Sequence, residues 1–190
     1  MSLREIVTQS RTVRRFHQDV RIPRETLVGL VELARHAPSG ANLQPLKYVL
    51  VTEPARCATV FPCLAWAGYL KDWPGPVEGE RPAAYLVILN DKRIRAVNEH
   101  DAGIAAQTMM LGAAEAGLGG CIIQSVKRPE LRAALAIPED LEILLVLALG
   151  SPKEVVVIEA MSAEGDVQYW RDAAGVHHVP KRALDDLIVG

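Results

Sequence analysis

The stretch that most limits the fold lies at residues 101–116, where DAGIAAQTMMLGAAEA predicts a helix that is apolar on almost every side. Such a helix is stable in water only when other elements cover it. Asp101 is expected to cap its N-terminus, and Gly117 is expected to end it. The rest of the chain must therefore build layers around a central, buried helix.

Shorter apolar runs on both sides of this helix predict a layered domain. Helices are expected at 3–9, 23–36, 55–70 and 128–135, the third of them interrupted near Pro62, and buried strands at 47–52, 84–89, 120–124 and 143–149. Helices that alternate with buried strands are typical of an α/β or α+β domain. Because 190 residues suit one domain, we expect residues 1–190 to form a single unit.

The chain changes character at about residue 155. After VVVIEA at 155–160 it becomes polar and aromatic, with too little apolar surface for a core of its own. It nevertheless carries Tyr169, Trp170 and Val179. A solvated tail is the simpler alternative, but the aromatic content disfavours it. We expect residues 155–190 to form an extended arm that lies across the domain body or across a partner subunit.

Charge and composition exclude several classes of protein. The chain has 21 Lys+Arg against 23 Asp+Glu, so it lacks the basic excess of a nucleic-acid-binding protein. No apolar run approaches the roughly 20 residues of a membrane span, and the N-terminus has no apolar signal core. The three cysteines are too few for a disulfide framework. We expect a cytoplasmic protein without a nucleic-acid or membrane partner.

Motifs for protein-borne catalysis do not occur in the sequence. GxxxxGK[ST], GxSxG, HExxH and CxxC are all missing, and the GLGG at 117–120 follows a helix rather than a strand. The adjacent His177 and His178 would point in different directions on an extended segment, which disfavours a shared metal. We therefore expect neither a metal site nor a protein nucleophile.

Two clusters of cations at opposite ends of the chain indicate anion binding. Arg11, Arg14 and Arg15 surround Thr12, and Lys181-Arg182 follows Pro180. Isolated cations are usually solvated surface charge. Guanidinium groups grouped with a hydroxyl can instead bind a phosphomonoester through charge-assisted hydrogen bonds.

A second feature, PSGANLQP at 38–45, sets polar side chains on a constrained turn that can form hydrogen bonds with the edge of a flat heterocycle. An ordinary helix-to-strand connection remains the alternative.

Together these segments resemble the nitroreductase superfamily of FMN-dependent oxidoreductases. The resemblance rests on SRTVRRF (10–16), APSGANLQP (37–45), the helix and strand at 101–126, LALGSPKE (147–154) and HHVPKR (177–182), in that order. It implies an α+β fold with a central mixed, mainly antiparallel sheet flanked by helices. It also implies an intertwined homodimer with FMN at the interface, in which the C-terminal arm embraces the partner subunit.

The resemblance also implies which residues contact the cofactor. Arg11, Thr12 and Arg14, with Arg15 beside them, match the motif that holds the FMN phosphate and ribityl chain. Lys181 and Arg182 match basic residues that approach the phosphate. The loop that the second subunit lays against the flavin ring matches Pro38, Ser39, Gly40, Asn42 and Gln44. The segment that runs along the flavin near N5 matches Ile122, Ile123, Gln124 and Ser125.

Two positions depart from the family pattern. Many members carry an arginine where this chain has Ser10, so a phosphate contact is lost or passes to Arg11 or Arg15. Many carry an acidic residue where this chain has Gln124. A main-chain amide at that position can still donate to the flavin, so we expect binding to survive.

The implied activity is a ping-pong reaction in which NADH or NADPH reduces FMN and a small-molecule electron acceptor, nitroaromatic or quinone-like, reoxidises it. This chemistry needs no protein nucleophile, since the cofactor carries it. Other reactions of the superfamily remain open, namely dehalogenation, enoate reduction and flavin breakdown. A flavin-binding store or sensor without turnover, and a structural dimer without cofactor, are further alternatives.

Overall fold

The computed structural model describes residues 1–97 and 99–190. Its α-helices are α1 Leu3–Gln9, α2 Arg24–Arg35, α3 Pro54–Val60, α4 Glu99–Glu115 and α5 Arg128–Leu135. Its strands are β1 Phe16–His17, β2 Leu46–Val51, β3 Ala84–Asp91, β4 Gly119–Ile123, β5 Leu141–Pro152, β6 Val156–Ala160, β7 Trp170–Arg171 and β8 His177–Lys181. Among the helices described in this way, none is long and apolar enough to cross a bilayer.

The long strand β5 organises the main sheet. It pairs with β3 and with β4, and its last residues pair with β1, while β2 adds to the other side of β3. Every strand pair in this sheet is antiparallel. The fold is thus α+β with a central antiparallel sheet, as expected.

Alternate residues of the sheet face two separate apolar cores. On β3, Leu86 and Ile88 pack with α2 and α4, whereas Tyr85 and Val87 pack with α3 and α5. Successive strand residues point to opposite faces, and all eight residues of β3 are buried. The sheet therefore lies between two layers of helices, with β4 at one edge.

Two predicted helix boundaries are wrong. α4 begins at Glu99, so Asp101 lies within its first turn and does not cap it. The carboxylate of Asp101 instead accepts hydrogen bonds from a distant loop. The helical stretch expected at 55–70 is interrupted near Pro62 as predicted, but it does not resume: the helix ends at Val60 and only a 3-10 turn, Phe61–Cys63, follows. Pro62 lacks the N–H that a longer helix needs.

The C-terminal region forms a small sheet of its own. β6 and β8 pair in parallel, and β7 adds to β8 in antiparallel orientation. This part of the predicted arm is thus folded against its own protomer from Val156 to Lys181. Beyond it the chain is exposed, including Leu184, Leu187 and Ile188. An embrace of a partner subunit stays a prediction.

Close packing of β4 against β5 depends on a glycine. A Cβ atom on Gly120 would lie 2.7 Å from the carbonyl oxygen of Ala148 and 2.7 Å from Cδ2 of Leu149. Because a backbone atom would have to move, we expect Gly120→Ala to lower the free energy of unfolding by about 1–3 kcal/mol. Urea denaturation measures the change. Gly29→Ala is the matched control, since a Cβ there meets nothing within 4 Å; equal stability of the two variants would contradict the expectation.

Candidate functional site

The arginine segment lies directly against the first residues of β4. The main-chain N–H of Val13 donates to the carbonyl oxygen of Gly120 at 2.8 Å, and Thr12 forms a parallel bridge with Gly120. The Gly120 carbonyl thus points away from β5. Because orientation alternates along a strand, the main-chain groups of Ile122 point the same way, and the strand ends at Ile123. Residues 11–13 therefore lead onto a sheet edge that continues at Ile122.

Two arginines of the segment have guanidinium groups that could hold an anion. Arg11 donates through Nη2 to the carbonyl oxygen of Val7, at 2.7 Å. Its Nε is buried and has no hydrogen-bond partner within the described part of the chain. Arg14 lies with Nη1 3.2 Å from Nε2 of His177, and its guanidinium carbon lies 4.8 Å from the centre of the Tyr169 ring.

Arg15 has a different role from the one expected. It donates through Nε and Nη2 to the two carboxylate oxygens of Glu80, at 2.6 and 2.8 Å. Lys153 also contacts Glu80, at 3.0 Å. The hydrogen bond from Arg15, aided by Lys153, lowers the pKa of Glu80 to about 2. Because Nε and Nη2 of Arg15 both donate to this carboxylate, we leave Arg15 out of the proposed phosphate site.

The end of β4 offers both main-chain and side-chain contacts. Ile122 is 41% exposed, and Gln124 and Ser125 are exposed as well. A cavity of about 430 Å³ is lined by Ile122 and Gln124 together with Ala102 and Gly103 at the start of α4. Ile123 does not fit the expected role, because its side chain is buried in the core and its main chain faces β5.

The loop at 38–44 is held in an unusual backbone conformation by Asp101. Its carboxylate accepts from the Ser39 hydroxyl at 2.6 Å and from the Gly40 N–H at 3.0 Å. Ala41, Asn42 and Gln44 all have left-handed φ angles of 52–55°. For non-glycine residues this conformation is costly and persists only where neighbours enforce it.

Held in this way, the loop presents its polar residues to the outside. Pro38, Asn42 and Gln44 are exposed, while Ser39 and Gly40 are partly buried against α4. The loop contacts the first turn of α4 through Asp101, and the β4 cavity is lined by the next residues of the same turn, Ala102 and Gly103. The start of α4 thus lies between the two regions.

The C-terminal cations are not brought to the arginine segment. Lys181 ends β8, four residues beyond the His177 that contacts Arg14. Four steps along a strand span about 13 Å. Lys181 and Arg182 are exposed and line a groove with Asp186. A contact between these cations and the Arg14 region would need a second subunit.

Sequence reasoning missed the buried groups that hold the arginine segment. Glu154, whose side chain is fully buried, accepts hydrogen bonds from the main-chain N–H groups of Arg14 and Arg15. It also accepts from Nη2 of Arg171, at 2.9 Å. His177 is 1% exposed. The sequence carried one signal: adjacent residues of a strand face opposite sides, so only one of the two histidines would point toward the arginine segment. His178 faces the other side of β8, toward Asp172 and Glu159.

Burial and the charge of Arg14 lower the pKa of His177 to about 4, from a usual 6.5. Arg171 and His178 add to this effect, and Glu154 opposes it. Between pH 6.5 and 4 the unfolded chain therefore binds a proton at residue 177 that the folded chain does not. Stability rises with pH wherever the unfolded state binds more protons than the folded state. Lowering the pH through this window should therefore destabilise the protein.

This acid sensitivity can be assigned by urea denaturation at several pH values from 6.5 to 4.5. The depressed pKa of Glu80 makes its own loss of stability begin only below about pH 4.5. His177→Gln should flatten the slope of unfolding free energy against pH in this range, whereas His36→Gln, at an exposed histidine, should not. An unchanged slope in His177→Gln would show that another group causes the loss.

Comparison with known proteins gives a consistent result. A model described as the nitroreductase family matches residues 7–151. An iodotyrosine deiodinase of Thermotoga neapolitana is 23% identical over 169 residues, covering 80% of this chain and 89% of that protein. An FMN-dependent nitroreductase from Clostridium difficile is 25% identical with a TM-score of 0.63, over 78% of this chain and 86% of that one. A nitroreductase family protein from Clostridium novyi has a TM-score of 0.64 at 22% identity, over 80% and 88%.

Proposed function

This chain is a member of the nitroreductase family, and from that premise we propose that it is an FMN-dependent oxidoreductase that passes electrons from NADH or NADPH to nitroaromatic or quinone-like acceptors. The observation that carries the proposal is the run of residues 11–13 along Gly120, at the start of the β4 edge. Cations that can bind a phosphate are thereby joined to an exposed strand edge that can receive a flat ring.

The residues of this edge fit FMN in charge and in shape. Arg11 has a buried Nε without a partner in the described chain, and Arg14 contacts His177 through Nη1, with Nη2 proposed as its donor to the phosphate. Guanidinium groups suit a phosphate dianion, because they form forked, charge-assisted hydrogen bonds. About 7 Å further along the strand, the N–H of Ile122 points outward, where it can donate to the ring. The unpaired Nε of Arg11 and the outward N–H of Ile122 are the two features that support a fit to FMN.

In this proposal each group of residues has one task. Arg11 and Arg14, with the Thr12 hydroxyl, bind the phosphate end and fix the register of the cofactor along β4. Main-chain amides at Ile122 and Gln124 donate to the ring edge, with Ser125 beside them. When bound here, FMN would supply the hydride-transfer chemistry between NAD(P)H and the acceptor. Donors near the ring edge stabilise the negative charge that develops on reduction.

The remaining predicted residues are assigned to the second subunit of a homodimer. Its loop, with Pro38, Ser39, Gly40, Asn42 and Gln44, would close over the ring, and its Lys181 and Arg182 would approach the phosphate. Exposed apolar side chains on α1 and near the C-terminus support a dimer: Leu3 is 70% exposed, Leu184 69% and Ile188 63%. Light scattering after size-exclusion chromatography should give the mass of two chains; a monomer at micromolar concentration would overturn this assignment.

Reductive dehalogenation is the second candidate, and the deiodinase relative favours it. Both reactions would use the same cofactor and the same β4 edge. They differ in the acceptor. We propose that the segment from Trp66 to Trp73 contacts it, because the N–H of the preceding Ala65 donates to the carbonyl oxygen of Ser125 at 3.0 Å, next to the same edge. Reduction of a halogenated phenol with release of halide would identify this reaction, and reduction of a nitroaromatic or quinone would identify the first.

The deciding experiment is the visible spectrum of natively purified protein, followed by identification of any flavin released on heating. We expect flavin bands, about one FMN per chain, and bleaching of the bands by NADH or NADPH under anaerobic conditions. Reoxidation is then compared among a nitroaromatic, a quinone and iodotyrosine. Bound FMN that neither nucleotide reduces would indicate a flavin store or sensor. A colourless protein that does not take up added FMN would overturn the proposal.

A further inference from the structure

The C-terminal region contacts the guanidinium group of Arg14 on two sides within the same protomer. Nε2 of His177 on β8 lies 3.2 Å from Nη1, and the ring of Tyr169, just before β7, faces the guanidinium carbon at 4.8 Å. The two rings contact each other, with their centres 5.2 Å apart. Glu154 fixes the main chain beneath, through the N–H of Arg14. The arginine is thus held at its backbone, its Nη1 and its face.

The contact with His177 fixes the protonation state of the imidazole. A guanidinium only donates hydrogen bonds, so Nε2 must accept, and the ring proton must sit on Nδ1. A doubly protonated ring would place two cations against each other. The lowered pKa of His177 keeps the ring neutral, in agreement with this geometry. Neutral His177 is therefore an acceptor aimed at one edge of Arg14.

This arrangement leaves the rest of the guanidinium for a ligand. The protein uses Nη1 and the ring face, and the guanidinium also lies near the Cys121 thiol, so in this inference Nη2 is the donor assigned to a ligand. An arginine that must be ordered on binding loses side-chain rotamer entropy, and prior ordering removes part of that cost. Restraint of Arg14 by its neighbours should therefore increase its affinity for an anion without any new contact to the anion itself.

We propose that His177 and Tyr169 are positioning residues that hold Arg14 in the orientation in which it binds the phosphate of FMN. The inference rests on the proposed function, since it concerns the same cofactor site. It assigns the folded C-terminal sheet a role within its own subunit, separate from any contact that residues 183–190 make with a partner.

Comparing FMN with riboflavin isolates this role, because riboflavin has the same ring and side chain without the phosphate. Wild-type apoprotein is titrated with each flavin, and the ratio of the two dissociation constants is followed by quenching of flavin fluorescence. We expect His177→Leu to weaken FMN binding about tenfold, the effect of one hydrogen bond to a charged group. Riboflavin binding should stay the same. His177→Gln, which retains an acceptor, should restore most of the FMN affinity.

Further variants make the test specific. His178→Gln alters the neighbouring histidine on the opposite face of β8 and should leave the ratio unchanged. In an Arg14→Ala background, His177→Leu should cause no further loss of FMN affinity, because the two residues act through one contact. If His177→Leu does not fold, Tyr169→Leu compared with Tyr169→Phe provides the same comparison, since the phenylalanine retains the ring face.

The outcomes separate this inference from the function on which it rests. An unchanged FMN-to-riboflavin ratio in His177→Leu and Tyr169→Leu, with wild-type protein that prefers FMN, would overturn the positioning role alone. Equal loss of both flavins would also overturn it, because it would show a general structural effect. Wild-type protein that binds neither flavin would overturn the proposed function, and the positioning role with it.

Discussion

Arg14→Ala should weaken FMN binding about 10–100-fold, because each hydrogen bond between charged groups contributes roughly 1.5–3 kcal/mol. The phosphate loses a guanidinium that the protein holds in place through His177 and Tyr169. Riboflavin affinity should change much less, since riboflavin carries no phosphate. The measurement is titration of apoprotein with each flavin at constant salt, because screening weakens charge pairs.

The matched control for this prediction is Arg35→Ala. Arg35 is an exposed arginine of α2 that pairs with Glu32 on the same helix, so its removal also lowers the net charge by one. FMN affinity should be unchanged in that variant. If Arg14→Ala and Arg35→Ala bind FMN as wild-type protein does, Arg14 does not belong to the phosphate site, and Arg11 would be the next arginine to replace.

Glu154→Gln should lower the free energy of unfolding by about 3–5 kcal/mol, the usual cost of removing one partner from a buried ion pair. The Glu154 side chain has no exposed surface, and that of Arg171 is 15% exposed. Glutamine retains the shape but leaves Arg171 without its counter-charge. It also weakens the acceptor for the N–H groups of Arg14 and Arg15.

Urea denaturation of the flavin-free protein measures this loss without a contribution from ligand binding. Glu32→Gln, at an exposed ion pair on α2, is the control and should change stability by less than about 1 kcal/mol. A similarly small change in Glu154→Gln would show that the C-terminal sheet is held mainly by other contacts. The aromatic contact of Arg171 with Trp73, at 4.1 Å, would then be the first to remove.

Local patterns in the sequence predicted most of the fold. Strands such as β3 were found because a continuous apolar run has few other solutions, and α2 because its apolar residues recur at helical spacing. The predicted helical stretch at 55–70 breaks near Pro62 as expected, but its continuation to residue 70 is wrong. The role of Asp101 was missed for another reason: its partners Ser39 and Gly40 are about 60 positions away, and local spacing carries no information about such a pair.

The candidate site shows the same division. Clustered arginines and a polar turn are visible in the sequence, so the main elements of the site could be named. Which arginine is free to bind an anion depends on tertiary contacts. Arg14 and Arg15 are adjacent and identical in type, yet Arg15 donates through two nitrogens to Glu80. Arg14 is instead restrained by His177 and Tyr169. Only the folded chain distinguishes them.

The strained loop at 38–44 has a consequence for assembly. Its left-handed residues are held through Asp101 of its own chain, so the loop acquires its shape before any second subunit arrives. In the proposed dimer, each monomer would thus bring two finished half-sites to the encounter. A cofactor shared between the two chains would bind only the assembled pair. Its occupancy should therefore fall on dilution below the dimer dissociation constant, and added FMN should shift monomers toward dimers.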